Sequence, residues 1–387
     1  MGRAGHYVKQ PEGFKAFVPA LLPPDPPIQL DPETMNLLSE ADRAIGRLDG
    51  IATLLPNPAL FVAMYVRHEA VLSSQIEGTQ STLDDVLLFE IKERSKEEPK
   101  DVEEVVNYVR AMKLGLKRLP ELPLSLRLIR EIHEALMKGA RGGNRTPGEF
   151  RRSQNWIGGT MPSNAAFVPP PVHEMNAALG NFEKFLHDEK SYPLLIQCGL
   201  AHAQFETIHP FLDGNGRVGR LLITFLLCAR GALRQPLLYL SLYLKGHRAA
   251  YYDRLTAVRN DGDWEGWIKF FLKGVREVSD DATETARRIV ELRENSRATI
   301  ADFSSAALGM KLLDLLFAQP IINIPLAVEK LKCTYPTATK LVEQCCEAGI
   351  LNETTGAKRN RRYRFEPYLS LFEPPQTTPE SATKANK

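Results

Sequence analysis

A mainly α-helical protein that ends in a small mixed helix-and-strand module is the fold class this sequence predicts, on three observations. Apolar residues recur at helical spacing through most of the stretch from Asp31 to Arg297. β-prone pieces are short and fall in two places, about 155–168 and 321–365. Nothing repeats at a fixed period, so a solenoid is not expected.

Each element has a local reason. Ala20 to Pro32 is proline-dense and reads as an extended arm over the surface. Helices start behind Asp31, an Asp cap followed by Pro32 and Glu33, with Leu37, Leu38, Ala41 and Ile45 at helical spacing. Asn57-Pro58 opens a second helix, whose Phe61, Met64, Tyr65, Leu72 and Ile76 keep near one face until Gly78 stops it. Ser95 to Asp101 reads as a charged linker, and helices resume over 102–119 and 124–137. Between Arg141 and Pro171, Gly142-Gly143, Gly158-Gly159 and Pro169-Pro170-Pro171 punctuate the chain. They separate Asn155-Trp156-Ile157 from Ala166-Phe167-Val168 and predict a hairpin. Helices return over 172–187, 192–208, 217–230, 249–260 and 264–297. The last segment orders a helix (306–318), a β-like scrap (321–324), two helices (325–331 and 337–348) and two strands (350–353 and 361–365) around Gly356. That is the order of a winged helix. The tail from Glu373 is rich in Pro, Thr and Ser and reads as disordered. The expected domains are 1–115, an arm and helical region; 116–297, the central helical domain; 298–372, the winged helix; and 373–387, the tail.

Composition narrows the class of function. A chain of 387 residues suggests two or three domains, and 43% hydrophobic with 25% charged residues is a globular balance. Lys+Arg 49 against Asp+Glu 47 leaves +2, so no global field draws the protein to nucleic acid or an anionic membrane. The most apolar run, Leu221 to Ala229, is far short of the roughly 20 residues of a membrane span. The N-terminus lacks a secretory pattern. The cysteines, Cys198, Cys228, Cys333, Cys345 and Cys346, are odd in number without a C-x-x-C, so neither a disulfide framework nor a zinc ribbon is expected. A reducing, cytoplasmic setting fits them.

The densest chemistry lies in His209-Pro210-Phe211-Leu212-Asp213-Gly214-Asn215-Gly216-Arg217-Val218-Gly219-Arg220, between two strongly apolar helices. Pro210 ends the first helix and places His209 at its exit. Gly214 and Gly216 let the backbone approach a ligand closely and take positive φ. The turn enters the N-terminus of the next helix, where unpaired N–H groups and the macrodipole favour an anion. Arg217 and Arg220 share one face, and their guanidinium forks suit phosphate oxygens. Asp213 is the carboxylate of the turn, suited to Mg²⁺ held against phosphates, with His209 as the base. A metal site from His202, His209 and Asp213 is conceivable but suits few geometries.

His209 to Arg220 resembles, without gaps, the HPFx[D/E]GNGRxxR signature of Fic-domain proteins, and Arg151 to Gly158 resembles the segment leading into that family's target-docking flap. The chain as a whole, from about 30 to 370, is similar to large bacterial Fic proteins with an N-terminal helical extension and a C-terminal winged helix. The resemblance implies a Fic-type helical core with a small β-hairpin flap, and transfer of AMP from ATP to a protein Tyr, Thr or Ser hydroxyl with Mg²⁺. It implies His209 as the base and Asp213 as the Mg²⁺ ligand. It implies that Asn215 and the backbone of Gly214, Gly216, Val218 and Gly219 cradle the phosphates. Arg217 would hold the α/β region, Arg220 the γ-phosphate, Phe211 would anchor the loop, and Tyr252 would meet the adenine. Members that phosphorylate instead replace the second motif glycine; Gly216 is present, which favours adenylyl transfer. The target protein would dock on the flap, about 155–168.

Ser73-Ser74-Gln75-Ile76-Glu77-Gly78 sits at a helix C-terminus, where a glutamate opposes the macrodipole. It resembles the [S/T]xxxE[G/N] inhibitory helix of autoinhibited Fic proteins, implying that Glu77, with Ser73, engages Arg220 and keeps it from the γ-phosphate. Removal of AMP by the same glutamate stays open, as do the target and a homodimer. The alternative function is a winged-helix DNA-binding regulator with a nucleotide-sensing Fic domain. Thr337, Thr339 and Lys340 would open its recognition helix and Lys358, Arg359, Arg361, Arg362 and Arg364 would line its wing, diluted by Glu343, Glu347 and Glu353.

Overall fold

The structure, a computed structural model, describes residues 2–53, 58–91, 101–139, 146–357 and 360–373. Expectations that fall on Asn57, residues 95–100, Gly142-Gly143, Lys358, Arg359 and the tail after Glu373 lie outside the described residues. The chain divides into two compact units, Met1–Thr283 and Glu284–Lys387.

The first unit opens with an antiparallel hairpin, β1 (Gly5–Lys9) and β2 (Lys15–Pro19), with Tyr7 opposite Phe17. The hairpin leaves little trace in the sequence, because each strand has five residues and β1 buries only Gly5. Residues 20–31 then run without regular structure. The Asn181 side chain holds both backbone groups of Leu22, accepting at 2.8 Å and donating at 3.0 Å. Asp31 caps the next helix by accepting the Thr34 N–H at 2.8 Å.

The helices are α1 (Pro32–Ala52), α2 (Pro58–Ile76), α3 (Leu83–Glu90), α4 (Val102–Arg118), α5 (Leu126–Met137), α6 (Val172–Leu186), α7 (Leu194–Ile208), α8 (Asn215–Ala229), α9 (Ser241–Gly246), α10 (Arg248–Asp261) and α11 (Trp264–Ala301), the last continuing past the boundary between units. α3 and α9 were not anticipated; they are eight and six residues long, too short for periodicity to register. The 155–168 hairpin takes a minimal form. Ile157 and Phe167 exchange both backbone bonds (2.8 and 3.1 Å), and the tip closes on a short 3₁₀ turn, Pro162–Asn164.

α7 and α8 form the centre of this unit. Every residue of α7 after Leu194 is buried, so it carries no polar face and must satisfy its polar side chains internally. Gln197 donates to the Phe185 and Asp188 carbonyls, and Gln204 to that of Ala20. The apolar run Leu221–Leu227 is core, and no helix among the described residues is long and apolar enough to cross a membrane.

His202 is held at both ring nitrogens, Nδ1 3.0 Å from the Gly219 carbonyl and Nε2 2.8 Å from the Tyr251 hydroxyl. The carbonyl can only accept, so Nδ1 carries the proton and Nε2 accepts from Tyr251. Burial pushes the pKa of His202, and of His68, down to about 4. The unfolded value is about 6.5, so the unfolded chain binds more protons between these limits. This stability is complete above about 6.5 and is lost as pH falls toward 4. At pH 5 each such histidine should cost roughly 2 kcal/mol. Urea midpoints at pH 7.5 and 5.0 for wild type and His202→Gln test this. The acid-induced drop should shrink in the variant, and an identical drop would remove His202 from the effect.

The second unit contains α12 (Ala306–Ala318), β3 (Ile321–Asn323), α13 (Ile324–Leu331), α14 (Tyr335–Glu347), β4 (Asn352–Glu353), β5 (Arg362–Arg364) and α15 (Glu366–Leu369). Its strands form an antiparallel sheet in the order β3-β5-β4, with Ile321 and Asn352 both opposite Arg364. Leu312, Leu316, Phe317, Ile322, Leu341, Val342, Phe365 and Tyr368 fill its core. Of the charges expected on the wing, Arg364 is engaged by Glu366 at 2.5 Å and faces Glu373 at 3.7 Å.

Candidate active site

The site is a turn whose backbone is determined several times over. α7 ends on His209, a non-glycine residue in the left-handed region (φ 49°, ψ 60°). Such a conformation is strained and persists only where its surroundings impose it. Here they do: the His209 carbonyl accepts from Arg151 Nε (3.1 Å) and Asn155 Nδ2 (3.2 Å). Arg151 N–H donates to the Pro210 carbonyl at 2.9 Å, and its Nη2 reaches the Pro170 carbonyl at 2.5 Å. Phe211 is fully buried, its ring stacked 3.7 Å from that of His133. The Asn215 side chain closes the loop, accepting the Phe211 N–H and donating to the Phe211 carbonyl, both at 2.8 Å. That side chain is therefore a staple within the turn, and what it offers a ligand is its backbone N–H. Gly214 (φ 77°) makes the reversal into α8, whose first amides have no acceptor within the helix.

Above those amides lies a cavity of about 320 Å³. His209, Asp213, Gly214, Asn215, Gly216, Arg217 and Arg220 line it, with Trp156, Ile157 and Gly158 on the hairpin side and Tyr251 and Tyr252 beyond. Val218 and Gly219 lie deeper in α8, Val218 fully buried. Tyr252 is 40% exposed, with Arg248 over its ring at 5.5 Å. Among the described residues no group of three or more His, Cys, Asp or Glu is placed to hold a metal. The three-residue set of His202, His209 and Asp213 is not assembled, since both His202 nitrogens are engaged elsewhere.

The two arginines are fixed differently. Arg217 is buried against Glu104 (3.0 Å), with Asp213 at 3.9 Å. Arg220 donates from Nε to Ser73 Oγ (2.7 Å), and from Nη2 to the Ser73 carbonyl (3.0 Å) and Glu77 Oε1 (2.6 Å). Glu77 is aimed by the end of α2. Gly78 takes φ 101°, its N–H bonds the Gln75 carbonyl, and the Thr79 N–H returns to that of Ser74, the Schellman pattern. Burial opposes ionisation of Glu77, but the Arg220 charge and hydrogen bond outweigh it and hold its pKa below the usual range. Burial likewise disfavours charge on Arg220, and the charges of Glu77, Tyr251 and Glu206 reverse this, so its pKa is raised.

Gly216 corrects one sequence expectation. It lies inside α8 with no positive φ, and its missing side chain is needed for space: a Cβ there would sit 2.3 Å from Glu77 Oε1. Gly216→Ala should therefore destabilise the wild type. In a Glu77→Gly background the nearest remaining atom is Arg220 Nη1 at 3.1 Å, so the cost should be smaller than in the wild type. Urea denaturation of the four proteins gives the coupling, and additive effects would place Glu77 elsewhere in solution.

Electrostatics favour a neutral imidazole. Burial, then the charges of Arg259 and Arg151, push the His209 pKa down to about 4. Sequence reading missed Arg259, which stacks 3.9 Å over the Phe167 ring at the hairpin base and lies seven residues, two turns, after Tyr252. It also missed the holding roles of Arg151 and Asn155, and Glu206, one turn before His209.

A half-buried imidazole beside the free amides of a helix N-terminus, with two guanidinium groups lining the same cavity, is an arrangement suited to holding an anion and moving a proton. Residues 35–117 match the Fic/DOC family N-terminal region, and residues 123–227 match the Fic/DOC family. The chain thus carries a Fic domain behind a Fic-type N-terminal region. The protein adenylyltransferase Fic of Aedes aegypti is 34% identical over 152 residues, 38% of this chain and 27% of that relative. A probable protein adenylyltransferase of Aquifex aeolicus is 30% identical over 216 residues, 54% of this chain and 62% of that relative. The chain thus spans less than two thirds of these relatives. A Fic family protein of Desulfovibrio desulfuricans superposes with TM-score 0.58 at 21% identity, over 88% of this chain and 97% of that one. A Fic-domain signalling protein of Bacteroides thetaiotaomicron gives 0.50 at 19%, over 66% and 97%. These likenesses establish the fold.

Proposed function

We propose that the protein is an autoinhibited protein adenylyltransferase that transfers AMP from ATP to a Tyr, Thr or Ser hydroxyl of a target protein and of itself. The observation that carries this reading is a neutral, half-buried His209 beside the N-terminal amides of α8 in one cavity. The names of the matching relatives support it. The target hydroxyl oxygen attacks the α-phosphorus as its proton passes to the His209 imidazole; the bond to the β-phosphate oxygen breaks and pyrophosphate leaves. Positioning and charge neutralisation do most of the work in phosphoryl-type transfer. The α8 amides and Arg217 serve the phosphates, Arg220 the γ-phosphate, and Tyr252 the base.

Asp213 fits the single-carboxylate role that Mg²⁺ takes when substrate phosphates complete its shell: it lines the cavity and its side chain is one-third exposed. When bound, the ion would neutralise phosphate charge. The target backbone would dock along the hairpin at about 155–168, whose Trp156 and Met161 are exposed. The DNA-binding alternative draws less support, because Arg364 is neutralised and Glu343 and Glu347 are exposed along α14. Incubation with ATP labelled at the α- or the γ-phosphate tests the reading. Label should reach protein from the α position alone; transfer from γ alone would make the protein a kinase.

A further inference from the structure

Glu206 is a buried group of the cavity that the proposed chemistry leaves without a task. It stands on the last turn of α7, three residues before His209, and lines the same cavity. It is 7% exposed, and its Oε1 is buried without a hydrogen-bond partner. Space has been made for it: a Cβ on Gly219 would lie 2.5 Å from that oxygen. An acceptor placed this way and left unsatisfied marks a position where a donor is expected. Burial raises the Glu206 pKa to about 7, against the pull of Arg220 and with the push of Glu77, as befits a carboxyl with no partner.

The donor cannot be a phosphate, which offers only acceptors. The α8 amides at 215–217 and Arg217 line the same cavity as Glu206, and the Glu206 charge is felt both by Arg220 and by Tyr252. Glu206 lies against Gly219, about one turn along α8 from those amides. The part of ATP between its phosphates and its base is the ribose, whose two adjacent hydroxyls are donors. We propose that Glu206 accepts a hydrogen bond from a ribose hydroxyl of ATP and makes the site selective for ribonucleotides; this rests on the ATP reading above. Glu206 sits on the helix that delivers His209, so the same contact would set the nucleoside against the base.

The test is calorimetric binding of ATP, 2′-deoxy-ATP and 3′-deoxy-ATP to the full chain in a Glu77→Gly background, where Arg220 is released. At least one deoxynucleotide should bind about tenfold more weakly than ATP, the worth of one hydrogen bond to a carboxyl. Glu206→Val should bring all three within about twofold of one another by lowering ATP affinity, whereas Glu206→Gln, which keeps one acceptor oxygen, should retain part of the difference. A packing role would weaken the three nucleotides equally. Equal binding in the parent, or full discrimination surviving in Glu206→Val, overturns the inference. Failure of the parent to bind ATP at all would instead overturn the ATP reading, and this inference with it.

Discussion

His209→Ala should slow AMP transfer by about 10²–10⁴-fold, the usual worth of a positioned base, while ATP affinity stays within about twofold. The two halves of this expectation rest on separate groups. The turn is held at the backbone: Arg151 and Asn155 grip the His209 carbonyl, and the Asn215 side chain grips Phe211. None of these bonds uses the imidazole, so the anion site should survive its loss. Alanine would enter a left-handed conformation that costs about 1–2 kcal/mol, a strain the histidine already bears. The pH profile offers a second check. Burial and the two nearby arginines keep the pKa near 4, so the base is neutral at any higher pH. The rate should show no His209 titration between pH 6 and 8 and should fall only as pH drops toward about 4. Single-turnover transfer with calorimetric ATP binding decides the matter. Wild-type rates in the variant would remove His209 from the mechanism, and lost ATP binding would show that the ring belongs to the cradle.

The central turn was legible because its chemistry is consecutive: base, carboxylate, glycines and arginines stand within twelve residues, His209 to Arg220, and their spacing alone places them on one helix end. Helices with caps were legible too, as at Asp31, where cap and proline declare the start. Illegible parts were those made by distant segments. Arg151 looks like a surface arginine in sequence, yet it is 1% exposed and bonded to carbonyls of three separate residues. Gly216 reads as a turn glycine until the structure puts a carboxylate from residue 77 against it. Glu206 carried a local signal, the three-residue spacing to His209, that was readable but hidden in a helix too apolar to suggest a polar face. The β1–β2 hairpin gave almost none, since its stability comes from contacts such as the Phe17 N–H bonded to the Val168 carbonyl at 2.9 Å.

Glu77→Gly should raise self-modification by about one order of magnitude, and by two at most. A charge-assisted hydrogen bond is worth about 1.5–3 kcal/mol, and 1.4 kcal/mol is about tenfold. The Arg220 side chain is 2% exposed but that of Glu77 is 38% exposed, so solvent screens part of the attraction and the lower end applies. Removing Glu77 leaves Arg220 aimed, because Ser73 still holds Nε and Nη2. It also leaves a buried guanidinium without its counter-ion, which is destabilising. The variant without nucleotide should therefore melt earlier than wild type, and ATP should restore more stability to it than to wild type, since the γ-phosphate replaces the lost carboxylate. Glu77→Asp separates charge from reach: the shorter side chain keeps the charge but spans less of the gap, so its activity should fall between the two. Arg220→Ala should not copy the activation, because the restraint and the γ-phosphate contact end on the same guanidinium. Self-labelling rates at saturating ATP and Mg²⁺, paired with melting curves with and without ATP, provide the measurement. If Glu77→Gly labels itself no faster than wild type and gains no extra stability from ATP, Glu77 is a helix-end residue that touches Arg220 without restraining it.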